Sequence, residues 1–220
     1  MHPSFANESA FRPGGNLAAD VRRFLVERGC PKTAEHCMAV GAEARALAIR
    51  FGADPDKAEI AGWLHDISAI YPNAERIRVA RELGVDVLPE EETFPMIVHQ
   101  KLSVEIARHR FGIGQRDVLD AIGCHTTLKA PSTLLDRVVF VADKVAWDQP
   151  GTPPYLSDLN EQLERSLEHG AMAYIGYLWE RKETLKVVHP WLADARADLL
   201  QAIERSAVTA PVRPASETDR

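Results

Sequence analysis

Residues 58–68 read AEIAGWLHDIS, an apolar helical pattern that ends by setting a histidine beside an aspartate. Ala58, Ala61, Leu64 and Ile67 recur at helical spacing, and Ile60 and Trp63 widen the same surface. The segment therefore predicts a buried helix. A carboxylate carried into such a place is costly unless it is paired or bound to a metal, and the adjacent imidazole makes metal binding an economical answer. What the chain can be thus depends on whether it supplies further ligands to His65 and Asp66.

The remaining segments read almost entirely as helix. Asn16 caps LAADVRRFLVER, which Gly29 and Pro31 end; a second helix runs from Lys32 to Phe51 and closes at Gly52; Asp54 with Pro55 opens the third. Tyr71-Pro72 breaks it, and Asn73 starts another helix to about Leu83. The run Glu90, Glu91, Glu92 predicts a solvated connection. Further helices are expected from Pro95 to Phe111, from Asp117 to Cys124, and over LLDRVVFVADKVAW behind a Ser132 or Thr133 cap. After a turn-rich interruption at residues 148–155, two or three helices occupy 157–187 with a break at Gly170, and a last one spans Trp191 to Ser206. The class is all-α. The expected organisation is a flexible arm over 1–16, a main domain over 17–150, additional helices over 151–206 packed on that domain, and a disordered tail over 207–220.

Composition narrows the class of function. With 45% apolar and 26% charged residues the chain is globular, and no apolar run approaches the roughly 20 residues that a membrane span needs. A net charge of −6 argues against a large nucleic-acid footprint while leaving room for a small phosphorylated substrate. Cys30, Cys37 and Cys124 are odd in number and lack a CxxC pair, so they read as reduced thiols. The first sixteen residues lack the pattern of a secretory signal, which predicts a cytoplasmic protein. A homodimer is compatible with the sequence.

Six positions meet the requirement set by the opening helix. His36 lies on the first turn of the second helix, His65 and Asp66 end the third, His99 follows MIV, His125 follows AIGC, and Asp143 sits in FVADK. Four of the six follow apolar neighbours, so their polar groups lie near the core. A dinuclear metal centre compensates four imidazoles and two carboxylates. Nitrogen and oxygen donors without thiolate suit iron, manganese, zinc or nickel, and Asp66 is the carboxylate expected to bridge. His2, His109, His169 and His189 are assigned to surface or packing. Trp147 and Tyr155 read either as a platform for a nucleobase or as a packed lid.

The order His, His-Asp, His, His, Asp resembles that of the HD-domain phosphohydrolases. The strings KTAEHCMAVGAEARALAIRFGAD, AEIAGWLHDIS, VHQKLSVEIARHRFGI, DAIGCHTT and LLDRVVFVADK are similar to those of the YqeK-type branch, the symmetrical diadenosine tetraphosphate hydrolases, over about residues 32 to 147. The resemblance implies an HD-domain helical bundle with extra C-terminal helices. It also implies two metal ions, iron first among them, with His36, His65, Asp66 and Asp143 holding one and Asp66, His99 and His125 the other. The implied reaction is hydrolysis of a nucleotide phosphoanhydride by a metal-bridged hydroxide; Lys32 stands where the family tends to carry a basic residue four positions before its first histidine, Thr126 and Lys129 match its HT string and the basic residue just after it, and the three are the expected substrate contacts. Ala69, Leu128 and Gln149 stand where the family carries a lysine, a glycine and part of an IEPxR string. These departures fall around phosphate and base, so the substrate stays open between diadenosine tetraphosphate and a nucleoside mono- or diphosphate. A metal-retaining regulatory module is the alternative from another class.

Overall fold

The computed structural model describes residues 11–147 and 149–209. Residues 1–10 of the expected arm, Asp148, and residues 210–220 of the expected tail lie outside that range. Among the described residues every regular element is helical. The order is α1 (Leu17–Glu27), α2 (Pro31–Phe51), α3 (Pro55–Leu64), a 3-10 turn (Ile67–Ile70), α4 (Asn73–Glu82), α5 (Pro89–Thr93), α6 (His99–Arg110), α7 (Arg116–Cys124), α8 (Leu134–Val145), α9 (Leu156–Leu163), α10 (Leu167–Trp179) and α11 (Pro190–Thr209), with a short 3-10 turn at Lys182–Thr184. No helix among them is long and apolar enough to cross a membrane.

The expected start signals act as read. The Asn16 side chain accepts from the Ala19 N–H, Asp54 accepts from Asp56 and Lys57, and Thr133 forms a capping box with Asp136. Gly52 closes α2 with φ +82°. At the centre, α2 lies against α1, α3 and α8. Its approach to α3 depends on two glycines: a Cβ on Gly62 would sit 2.7 Å from the Gly41 Cα, and one on Gly41 would meet the Trp63 ring at 2.3 Å. Backbone meets backbone there, which brings His36 on α2 and His65 at the end of α3 to a ring separation of 5.1 Å.

Five expectations are corrected. The HD helix stops at Leu64, and the pair sits in the bend before the 3-10 turn rather than inside a helix. The described part of the arm is fastened: Phe11 packs edge-on to Phe24 at 5.1 Å, and the Gly14 and Gly15 N–H groups donate to the Asp20 carboxylate. The acidic run is not a wet loop, because Pro89–Thr93 forms α5 and fully buries Glu91. Gly170 does not break a helix. The break falls before Ser166, which caps α10, and Gly170 lies in the following turn because a Cβ there would meet the Leu163 side chain at 2.5 Å. The last helix runs on to Thr209.

Candidate metal centre

Helix ends assemble the site. His65 and His125 are the residues at which α3 and α7 terminate, so the carbonyls three positions upstream have no continuing helix to bond. Each ring uses that carbonyl: Nδ1 of His65 donates to Gly62 O and Nδ1 of His125 to Ile122 O, both at 2.8 Å. His99, at the start of α6, donates its Nδ1 to Met96 O in the same way. A carbonyl can only accept, so all three rings carry a proton on Nδ1, and Nε2 is the atom left to face a metal. This is the outer hydrogen bond that fixes a metal-binding histidine in orientation and tautomer.

The Nε2 atoms converge on the carboxylates. Asp66 divides its two oxygens between neighbours: Oδ2 lies 3.7 Å from His65 Nε2, while Oδ1 lies 3.0 Å from His99 Nε2 and 3.5 Å from His125 Nε2. Asp143, in the last turn of α8, sets Oδ1 at 3.1 Å from His36 Nε2 and 3.4 Å from His65 Nε2. His99 and His125 bring their Nε2 atoms within 2.9 Å of each other. The bend after Leu64 matters here, because neighbouring residues of a continuous helix project about 100° apart and do not share one target.

The donor set fits a metal. His65 Nε2 and His36 Nδ1 are buried without a hydrogen-bond partner among the described residues. His36, His65 and Asp143 form one group with ligand atoms close enough to share an ion, and His65, Asp66 and His125 form another. At 2.9 Å the two Nε2 atoms need a positive charge between them, which a shared proton or a metal ion supplies. The same groups also shift one another's protonation. Burial works against a charge on Asp66 and Asp143, yet the imidazoles, and for Asp143 chiefly Lys144, outweigh it and hold both well below the usual carboxylate range. Burial pushes His125 down to about 4, helped by neighbouring His65 and His99. For His65 the two carboxylates and the Cys37 thiol overcome burial and hold its pKa well above the ordinary imidazole value.

All six expected ligands are thus brought together. Of the expected substrate contacts, Thr126 joins them, with Oγ1 at 3.3 Å from His99 Nε2 and 3.1 Å from His125 Nε2. Lys32 is exposed on α2, one turn before His36. Lys129 is not brought to the cluster: its Nζ lies 3.4 Å from Asp136 and 3.7 Å from Asp120, in a groove also lined by Arg108 and Trp191. Tyr155 is buried in an aromatic group with Tyr174 and Tyr177, and the Trp147 ring stands edge-on to it at 6.3 Å.

Several residues act here without having been singled out. Lys144 is buried and donates to the second oxygen of Asp143 and to His125 O; a lysine directly behind a ligand in an otherwise apolar run was the available signal. Ser68 Oγ donates to His99 O at 2.8 Å and ties the HD bend to α6. Gln100 Oε1 accepts from the Thr126 and Thr127 N–H groups and fixes the loop after His125. Arg76 donates to Tyr71 O and Met96 O, close enough to Asp66 to feel its charge. Leu128 is buried at φ +58°, a conformation that favours glycine, which accounts for the glycine that the resembling family carries there.

Comparison with known proteins agrees with this geometry. Residues 33–148 match the HD domain family. An uncharacterised protein in the pepC 5′ region of Lactococcus lactis subsp. cremoris is 44% identical over 143 residues, 65% of this chain and 72% of that one. The symmetrical bis(5′-nucleosyl)-tetraphosphatase of Bacillus subtilis (strain 168) is 33% identical over 141 residues, 61% of this chain and 75% of that one. A crystal structure of a predicted HD superfamily hydrolase involved in NAD metabolism, from Clostridium acetobutylicum, aligns with a TM-score of 0.76 over 84% of this chain and 97% of its own; at 22% identity the likeness concerns the fold. Fold and site together define a metal-binding hydrolase. The chain belongs to the HD-domain family.

Proposed function

We propose that this chain is a metal-dependent phosphohydrolase that cleaves the phosphate chain of a nucleotide, with diadenosine tetraphosphate as its first substrate. The observation that carries the reading is the division of Asp66, one oxygen toward His65 and the other toward His99 and His125. A carboxylate so placed could serve two ions: His36, His65, Asp66 and Asp143 would hold one, and Asp66, His99 and His125 the other. Iron is the expected metal, and manganese, nickel and zinc suit the same donors. When bound, such a pair of cations activates water at neutral pH and offsets the charge that builds on the phosphoryl group.

The chain's own residues do the positioning. The Nδ1 anchors on Gly62, Met96 and Ile122 hold three rings in one tautomer. Lys144 occupies Asp143 Oδ2 and leaves Oδ1 facing the imidazoles. The Thr126 hydroxyl, beside two Nε2 atoms, donates to a phosphate oxygen, and the exposed Lys32 meets the outer phosphates. The substrate choice is supported by the printed activity of the Bacillus subtilis relative.

The test is product analysis with metal-loaded protein on diadenosine tetraphosphate, ADP and AMP. Symmetrical cleavage yields ADP as the sole nucleotide product, and Asp66→Ala abolishes it. Phosphate release from ADP or AMP alone transfers the protein to the nucleotide phosphatases. No turnover on any of the three overturns the enzymatic reading.

A further inference from the structure

The helices beyond residue 148 lie outside the matched family region, yet they wall a cavity that borders the metal centre. It has a volume of about 170 Å³, opens to solvent, and is lined by Phe94 and Met96 from the α5–α6 connection, by Tyr174 and Leu178 from α10, by Leu185, and by Leu192 from α11. Its lining is mostly apolar. Two of its lining residues connect it to the cluster. Thr126 lines it and sets its hydroxyl against His99 and His125. Tyr174 lines it and lies with its ring 5.3 Å from Lys144 Nζ, which is bound to Asp143.

We propose that this cavity is a nucleobase pocket: it takes the planar heterocycle of the substrate while the phosphates run past Thr126 to the cluster. This rests on the phosphohydrolase reading and adds to it the part of the molecule that selects the substrate. Size supports a single ring system, since pockets that enclose a whole drug-sized ligand run to roughly 300–1,000 Å³. Chemistry supports a planar aromatic group, since two of the six walls named are aromatic rings and every base has a face that stacks on one. The neighbouring positive charges support a ligand that is apolar at one end and anionic at the other. Lys186 stands over the Phe94 ring at 4.7 Å, and Arg76 is held by the carbonyl of Met96, the same carbonyl that orients His99. Met96 thus belongs to the cavity wall and to the support of the metal centre at once.

Two readouts on the full, metal-loaded chain test the pocket. The first is equilibrium dialysis with adenosine, which has a base and no phosphate and so reads the cavity apart from catalysis. The second is the ratio of kcat/KM for diadenosine tetraphosphate to that for inorganic tripolyphosphate, which has phosphates and no base. Leu178→Trp fills the cavity, and Phe94→Ala removes an aromatic wall should the larger side chain disturb packing. Wild type is expected to bind adenosine; either variant weakens that binding and lowers the ratio about ten-fold, within the range of one lost base–aromatic stack. Equal adenosine binding in wild type and both variants, or an unchanged ratio, overturns the pocket. Hydrolysis of no phosphorylated substrate overturns the phosphohydrolase reading instead, and the adenosine result then still decides the pocket.

Discussion

Two buried groups of histidine, carboxylate and lysine draw on the first turn of α6, and they are wired in opposite ways. In one, Glu91 is fully buried with both oxygens met by donors: Oε2 by Lys101 Nζ at 2.8 Å and by the Leu88 N–H at 2.9 Å, Oε1 by His189 Nε2 at 3.4 Å. The other nitrogen of His189 accepts from the Trp191 N–H, so its ring is used on both sides. In the second group, three rings donate Nδ1–H outward to carbonyls and turn their Nε2 atoms toward carboxylates. A buried histidine next to a carboxylate is therefore no sign of a metal by itself. What separates the two is which ring nitrogen the protein has already used.

The largest expected effect follows from that difference. Stripping metal with a chelator removes a ligand that binds the folded chain in preference to the unfolded one, so the melting temperature falls and returns on adding metal back. Glu91→Gln, made in the other group, leaves metal content as in wild type. It leaves Lys101 facing an uncharged partner, and removing one member of a buried pair costs about 3 kcal/mol by urea unfolding. Chelator-insensitive melting in wild type, or metal loss in Glu91→Gln, would erase the distinction.

Gly62→Ala comes next. The added methyl meets the Gly41 backbone and not a flexible side chain, so α2 and α3 must separate, at about 2 kcal/mol. Because that contact sets His36 against His65, metal affinity falls along with stability; stability without affinity would detach the glycines from the site. A smaller effect is the pH dependence of the Glu91 group. Burial pushes this carboxyl up, but His189, the Leu88 N–H and Lys101 outweigh it and hold its pKa below the ordinary value. A lowered folded-state pKa means that the stabilisation is complete above the unfolded value of about 4.3 and is lost as pH falls through the folded one. The stability gap between wild type and Glu91→Gln therefore narrows on acidification below that point. A gap that widens there contradicts the assignment. Smallest is Lys129→Ala. Because Lys129 is paired with Asp120 and with the buried Asp136 and not with the cluster, kcat/KM should change less than about two-fold, and the loss should appear in stability instead. A larger loss would return it to the substrate contacts.

The sequence made the six candidate ligands legible because chemistry and spacing reinforced each other: a histidine or aspartate in an apolar run stands out, and six in order stand out more. The helices were legible for a similar reason, since Asn16, Asp54 and Thr133 act through neighbours within three residues. What escaped reading depends on contacts distant in sequence. Glu91 looks solvated beside Glu90 and Glu92 until His189, almost a hundred positions on, is folded against it. Gly170 looks like a breaker until Leu163 is seen to need its space. Lys129 matched a family string, but its partners on α7 and α8 decide where it points. The cavity beside Thr126 was equally hidden, because its walls come from α10 and α11 and from the α5–α6 connection, each unremarkable alone.

The central claim is that the converging imidazoles and carboxylates hold two metal ions bridged by Asp66. Metal content per chain, measured by mass spectrometry on wild type, His99→Ala and Asp66→Ala after loading and desalting, tests it most directly. The account predicts two ions in wild type, one in His99→Ala and loss of both in Asp66→Ala. An Asp66→Ala chain that keeps the wild-type metal content would contradict it.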